Sequence, residues 1–245
     1  MENAGYIALS RQVVLSRQMD VIANNLANVT TPAYKAQEMR FEEFLDRLKD
    51  GTKLSYVEDA AIPRDWREGP VTPTGNPLDI AIHGDGFFVV NTPAGERYTR
   101  KGHFELDANR QIVTADGAPV MGDGGPIVVP QDAGEITVAE DGTVSVNNAT
   151  TGATTVLGQL RLVRFADPQG LQEEEAGYYR ADSGATPDTT SKLVQGALEQ
   201  SNVEPIVELT RMMAVTRNYE AAQRLIESEH DRESKAISGI VGGTS

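Results

Sequence analysis

At 245 residues with a formal charge of -14 and a sequence pI near 4.6, the chain repels nucleic acid and anionic lipid headgroups, so neither is expected as a partner. It contains no cysteine, which excludes disulfides, thiolate nucleophiles and most structural zinc sites. Hydrophobic residues make up 39% and aromatics 6%, lean for a compact enzyme of this length and suited to an elongated protein with much exposed surface.

From Glu2 to about Val29 there is no proline, and Ala8, Leu15, Met19, Ile22, Leu26 and Val29 recur at alternating threes, fours and sevens. This spacing predicts a long amphipathic helix with a heptad-like seam. Ser10, Arg11, Gln12, Ser16 and Arg17 break the apolar run, so no cleavable signal peptide is expected. No stretch reaches the roughly 20 apolar residues that a bilayer-spanning helix needs, and no direct membrane insertion is expected. The Thr30-Thr31-Pro32 run stops the helix. Phe41, Phe44, Leu45 and Leu48 then predict a short helix over residues 36–50, ended by Gly51.

From 52 to 190 glycine and proline punctuate the chain and the hydrophobic period falls to two. Strands are predicted at Phe87 to Val90, Tyr98 to Leu106, Gln111 to Thr114, Ile127 to Val129 and Leu160 to Phe165. A hairpin is predicted where Asp141-Gly142 joins Ile136 and Val138 to Val144 and Val146. Residues 182–202 read as a polar connector turning helical near Leu193. A second long helix runs from about Pro205, a proline tolerated in the first turn, to about Ile240, with Met212, Val215, Tyr219, Ala222 and Ile226 spaced by three and four. The fold expected is α+β, with the two terminal helices paired as a coiled coil around an all-β middle of short antiparallel strands. The expected division is a discontinuous helical domain of 1–35 with 198–245, a connector of 36–78 with 182–197, and a β-rich outer domain of 79–181. Both ends are expected to order on assembly, since isolated helices of this kind are marginal in water.

Three stretches carry a resemblance. The first is Ala23-Asn24-Asn25-Leu26-Ala27-Asn28 with Thr31-Pro32-Ala33-Tyr34-Lys35. The second is Gly69-Pro70-Val71, then Thr74-Gly75-Asn76-Pro77-Leu78-Asp79-Ile80-Ala81-Ile82 and Gly84-Asp85-Gly86-Phe87-Phe88, continuing through Tyr98-Thr99-Arg100, Gly102 and Phe104. The third is Leu198-Glu199, Ser201-Asn202-Val203 and Arg217-Asn218-Tyr219-Glu220. In this order they resemble the signatures of the bacterial flagellar axial family of rod, hook and hook-associated proteins. The opening Met1-Glu2-Asn3-Ala4, Leu9-Ser10-Arg11-Gln12, Leu54-Ser55-Tyr56-Val57 and the short length resemble the proximal rod members, with the distal rod members next. Two positions depart from the family pattern: Ala33 and Arg110 each stand where the family commonly has glycine.

The resemblance implies a non-enzymatic subunit of the motility drive shaft, in the rod within the periplasm, exported through the flagellum's own type III apparatus. The implied partners are other rod subunits and copies of itself. Assembly is expected to rest on Leu15, Met19, Ile22, Asn24, Asn25, Leu26 and Asn28 in the first helix. In the C-terminal part it is expected to rest on Asn202, Met212, Val215, Arg217, Tyr219 and Ile226. No catalytic residue, cofactor or metal is expected. The glycine-rich turns at 84–86 and 122–125 lack the partners of a phosphate loop or calcium loop, and His83, His103 and His230 are too scattered for a metal. Phe87-Phe88 puts one ring on each sheet face, one for the core and the other open to a neighbour. The rival class is a secreted hydrolase or glycan-binding β module with helical dimerisation arms, for which Asp79 and Asp85 are the candidate carboxylates.

Overall fold

A computed structural model describes residues 2–47, 53–148, 152–174, 177–182 and 184–242. Helix α1 covers Glu2–Ala27 and helix α2 covers Pro205–Gly242, with short strands, turns and one turn of 3-10 helix between them. The chain forms two compact units, one of residues 1–29, 37–65 and 203–245, the other of 30–36 and 66–202.

In the first unit α1 and α2 meet through Leu15, Ile22, Val215 and Ala222, with Met19, Met212 and Tyr219 packed against them. The expected coiled coil is not there. The shared cluster on α1 runs only from Leu15 to Ile22, about two turns, whereas a coiled coil keeps its knobs in holes over successive heptads. Leu26 and Ile226 are half-buried outside the cluster, Val29 lies beyond the end of α1, and the side chain of Ala8 is outside the described residues. Leu9, Val13, Leu209, Met213 and Leu225 remain about half exposed and Ile206 more so. The apolar surface of the helices is therefore not consumed in their mutual contact.

The predicted helix over 36–50 is also replaced. Strand β1, Arg40–Arg47, pairs antiparallel with β2, Lys53–Ala61, with Phe44 opposite Tyr56 and Arg47 opposite Lys53. Leu48 and Gly51 lie outside the described residues. The β-forming run Leu54-Ser55-Tyr56-Val57 offers a ladder to a segment whose own spacing favours helix, and the tertiary pairing overrides local preference.

The second unit holds the β structure. Strands β3 (Val71–Pro73), β4 (Ile80–His83), β5 (Phe87–Thr92), β6 (Gly95–Thr99), β7 (Phe104–Leu106) and β8 (Ile112–Thr114) follow in order. A six-stranded sheet runs in the order Gln172–Glu173, Tyr179–Arg180, β6, β5, Leu162–Arg164, Thr186–Pro187. The alternation of β5 separates two cores. Phe88 and Val90 join Ile80, Ile82, Phe104, Ile112, Val120 and Val144 on one side, and Phe87 and Val89 join Val163, Leu171 and Tyr179 on the other. Neither ring is left for a neighbour, since Phe87 packs edge-on against Trp66, Phe165 and Tyr179.

The hairpin at Asp141-Gly142 forms in register, Val138 opposite Val144 and Ile136 opposite Val146. Only Gly142 takes the positive φ, at 88°. Residues 127–129 make an isolated bridge, Val128 to Gln111, in place of a strand. The stretch 98–106 is interrupted after Thr99 because the chain there passes over β4: a Cβ on Gly102 would sit 1.6 Å from the Ile80 carbonyl oxygen. The connector does not turn helical near Leu193. It forms Lys192–Gln195, paired with β4, and Ala197–Glu199, paired with β3.

The positive-φ residues other than glycine, among those described, are Ala33 (57°) and Arg110 (59°), the two positions that depart from the family glycine. Arg110 closes the β7–β8 turn, where its N–H donates to Asp107 O at 2.9 Å, and its Nε donates to Val129 O at 3.0 Å. The left-handed backbone costs an L-residue roughly 1–2 kcal/mol. Since Arg110→Ala and Arg110→Gly lose the same side-chain bond, we expect the glycine variant to be more stable than the alanine variant by about 1 kcal/mol in urea unfolding. Equal midpoints would show that the turn carries no backbone strain.

Candidate functional site

The three signature stretches converge in the second unit on one buried set of charges. Lys35 from the first, Arg100 from the second and Glu199 from the third are 0, 3 and 2% exposed. Lys35 Nζ donates to Glu199 Oε1 at 2.6 Å and to the Arg67 carbonyl at 2.7 Å. Arg100 Nε donates to Glu199 Oε2 at 3.0 Å, and its Nη1 to the carbonyls of Gly84 and Gly86 at 2.8 and 2.9 Å. The Gly69 N–H completes the carboxylate's partners at 3.0 Å.

Such close approach needs bare backbone. A Cβ on Gly69 would lie 2.0 Å from the Gln200 carbonyl oxygen. Burial first, and the Arg100 charge second, push the Lys35 ammonium below its ordinary pKa, with Glu199 working in the opposite direction. Two cations share the Glu199 carboxylate, their remaining N–H groups are aimed at carbonyls, and the partly exposed Glu68 carboxylate, 3.9 Å from Arg100, offsets the second positive charge.

Backbone bonds extend this junction. The Ala33 N–H donates to Glu199 O at 2.9 Å. Asn202 accepts from the Ala36 N–H at 2.8 Å and donates to Arg67 O at 3.0 Å. The chain thus pins, within one unit, the segment that follows α1 to the segment that precedes α2.

Asp79 is equally structural. It accepts from Thr74 Oγ1 at 2.6 Å and Asn76 Nδ2 at 3.0 Å, and His103 Nδ1 lies 2.6 Å away. Asp85 is exposed. Neither belongs to a carboxylate pair, and no group of three or more metal-binding side chains occurs among the described residues.

Of the residues expected to carry assembly, Leu15, Met19, Ile22, Met212, Val215 and Tyr219 lie in the α1–α2 cluster of the first unit. Asn25, 1% exposed, spends its amide on the backbone of Gln37, donating to its carbonyl and accepting from its N–H, each at 2.8 Å. Asn28 Nδ2 donates to the Asn24 carbonyl at 2.9 Å and to Asn24 Oδ1 at 2.8 Å, reinforcing a helix-end carbonyl that already accepts the Asn28 N–H at 3.1 Å. Asn202 belongs to the junction of the second unit. Arg217 is exposed, and Leu26 and Ile226 are half-buried.

Lys35, Arg100 and Glu199 all stand in the signature stretches, but nothing in their spacing pairs them. The signal in the sequence is weak: Lys35 is the single charged residue of the first signature, but Arg100 shares the second with Asp79 and Asp85, and Glu199 shares the third with Arg217 and Glu220.

Charged groups here hold strands together instead of facing a cleft, and two long helices carry unspent apolar rows. That arrangement defines a structural, assembling protein. The comparisons agree. Residues 6–35 match the family described as flagella basal body rod protein, 81–146 the flagellar hook protein FlgE/F/G D1 domain, and 194–238 the flagellar basal body rod FlgEFG protein C-terminal family. The flagellar basal-body rod protein FlgF of Caulobacter vibrioides is 36% identical over 97% of both chains. FlgF of Salmonella typhimurium is 35% identical over 96% of this chain and 97% of its own. FlgG of Bacillus subtilis is 31% identical over 92% of this chain and 94% of its own. The chain belongs to the flagellar basal-body rod protein family. Its members are structural subunits of the flagellar basal body that assemble with other rod subunits, and the family is not known to be enzymatic.

Proposed function

We propose that this protein is a subunit of the proximal rod, the part of the periplasm-crossing drive shaft that passes motor torque toward the hook. The observation supporting that position is the likeness to relatives named FlgF, at 35 and 36% identity over nearly the whole chain. Relatives named FlgG, at 30 to 33%, support a distal position as the second reading. The chain reaches its place through the flagellar type III export apparatus without a cleavable signal, and its neighbours are proximal and distal rod subunits and further copies of itself.

In this reading the α1–α2 cluster sets the spacing of the two helices. Asn24, Asn28, Arg217 and Ile226, together with the exposed rows Leu9-Val13 and Ile206-Leu209-Met213, meet adjoining subunits. Exposed apolar rows of this kind are what a many-neighbour interface buries.

Deleting the coding sequence is expected to abolish swimming, with restoration by the full chain, and mass spectrometry of purified basal bodies is expected to find the chain in them. A fully motile deletion strain whose complete basal bodies never contain the protein would refute the assignment.

A further inference from the structure

Within the first unit, α1, the segment after it and the start of α2 enclose a polar cavity of about 190 Å³, lined by Gln18, Asn25, Gln37, Glu38, Glu208 and Arg211 among others. Glu208 is 4% exposed. Its Oε1 accepts from Arg211 Nη1 at 2.7 Å, but its buried Oε2 has no hydrogen-bond partner among the described residues. An unpaired buried carboxylate oxygen is costly and calls for a donor. None of the described groups nearby supplies it. The Asn25 amide is committed to Gln37, the Arg211 side chain is 53% exposed and bonds the other oxygen, and Glu38 adds a second negative charge to the lining. The cavity is thus acidic, open, and short of a cation.

The same chain exposes a matching group. Arg217 faces solvent and makes no ion pair or hydrogen bond among the described residues. It follows Glu208 by nine residues on an uninterrupted helix, which places it about 13.5 Å along the axis and about 180° around it. Acceptor and donor therefore sit on opposite sides of α2 and cannot meet within one molecule. A contact between opposite faces of identical subunits is heterologous, and it propagates from copy to copy instead of closing a pair.

We propose that the Glu208 cavity receives the Arg217 guanidinium of a second copy of this chain, giving the orphaned oxygen a charge-assisted partner. A planar fork suits a carboxylate already held on one side by Arg211 better than an ammonium does. The cavity could instead hold about six waters by volume, and the experiment separates the two. This inference rests on the proposed place of the chain in the rod.

The protein has no cysteine, so the pair Glu208→Cys with Arg217→Cys can be expressed in a deletion strain and treated in purified basal bodies with a short bis-maleimide, whose spacer replaces the length of the two lost side chains, which a disulfide does not span. Within one chain a short spacer cannot join the pair, since the two positions lie about 13.5 Å apart along the axis and on opposite sides of the helix. The expected result is a ladder of dimers and larger multiples, absent from either single variant. Incorporated protein that stays monomeric, or that cross-links only to a subunit of another mass, overturns the proposal.

The charge swap Glu208→Arg with Arg217→Glu decides the matter if the cysteine variant is not incorporated. Each single change is expected to lower incorporation roughly tenfold or more, in keeping with a lost charged hydrogen bond, and the double change to restore it. Single variants that incorporate normally indicate a water-filled cavity, and a double variant that restores nothing also overturns the pairing. Absence of the unmodified chain from basal bodies would refute the proposed function instead.

Discussion

Replacing Glu199 with glutamine is expected to destabilise the β unit by about 3–5 kcal/mol, a large share of a total stability of about 5–15 kcal/mol. The change keeps size and shape but leaves Lys35, which is 0% exposed, and Arg100 as two buried cations held by neutral oxygens, with the Glu68 carboxylate 3.9 Å from Arg100 as the remaining negative charge nearby among the described residues. The single tryptophan, Trp66, packs against Phe87 and Tyr179 in that unit, so its fluorescence during urea unfolding reads the loss directly. Unchanged unfolding midpoints would show that the charges are not coupled.

The pH dependence carries a sign of its own. The folded-state pKa of Lys35 is below its ordinary 10.5, so between those two values the unfolded chain binds more protons than the folded one. This group's contribution to stability therefore rises with pH through that alkaline window and is flat below it. Glu199 opposes the shift. Its removal is expected to lower the Lys35 pKa further and to extend the window toward neutral pH.

Ile22→Asp or Tyr219→Asp is expected to abolish swimming while leaving the Trp66 unfolding transition of the β unit within about 0.5 kcal/mol of the unmodified protein. Ile22 is 4% exposed among Leu15, Val215 and Ala222, with Tyr219 packed beside them. A carboxylate there is either buried, at a cost of several kcal/mol, or forces the helices apart. The effect should stay in the first unit, because the cores of the second share no residue with this cluster. Normal motility in both variants would mean that the α1–α2 contact does not set the helix geometry used in the rod.

Much of the molecule was legible before folding was considered. The two long helices follow from apolar spacing and the proline punctuation at Pro32 and Pro205, and the 133–148 hairpin from its turn residues and alternating valines. The left-handed backbone at Ala33 and Arg110 coincides with the two missing family glycines. Where expectation failed, a distant partner decided. Residues 40–47 have helical spacing but become a strand because 53–61 pairs with them, and Lys192–Gln195 becomes a strand because β4 does the same.

The coiled coil failed for a different reason. Heptad spacing records which residues are apolar, not how long a partner stays alongside, and the cluster on α1 stops at Ile22, short of the buried Asn25 held by the Gln37 backbone.

What the order of residues determined by itself was local: the placement of helices, turns and strands, the acidic surface, and membership of an assembling family. The meeting of Lys35, Arg100 and Glu199 and the orphaned oxygen of Glu208 were decided only by tertiary structure. Residues 164 positions apart, such as Lys35 and Glu199, acquire their chemistry from burial and proximity, and neither quantity is written in the spacing of neighbours along a chain.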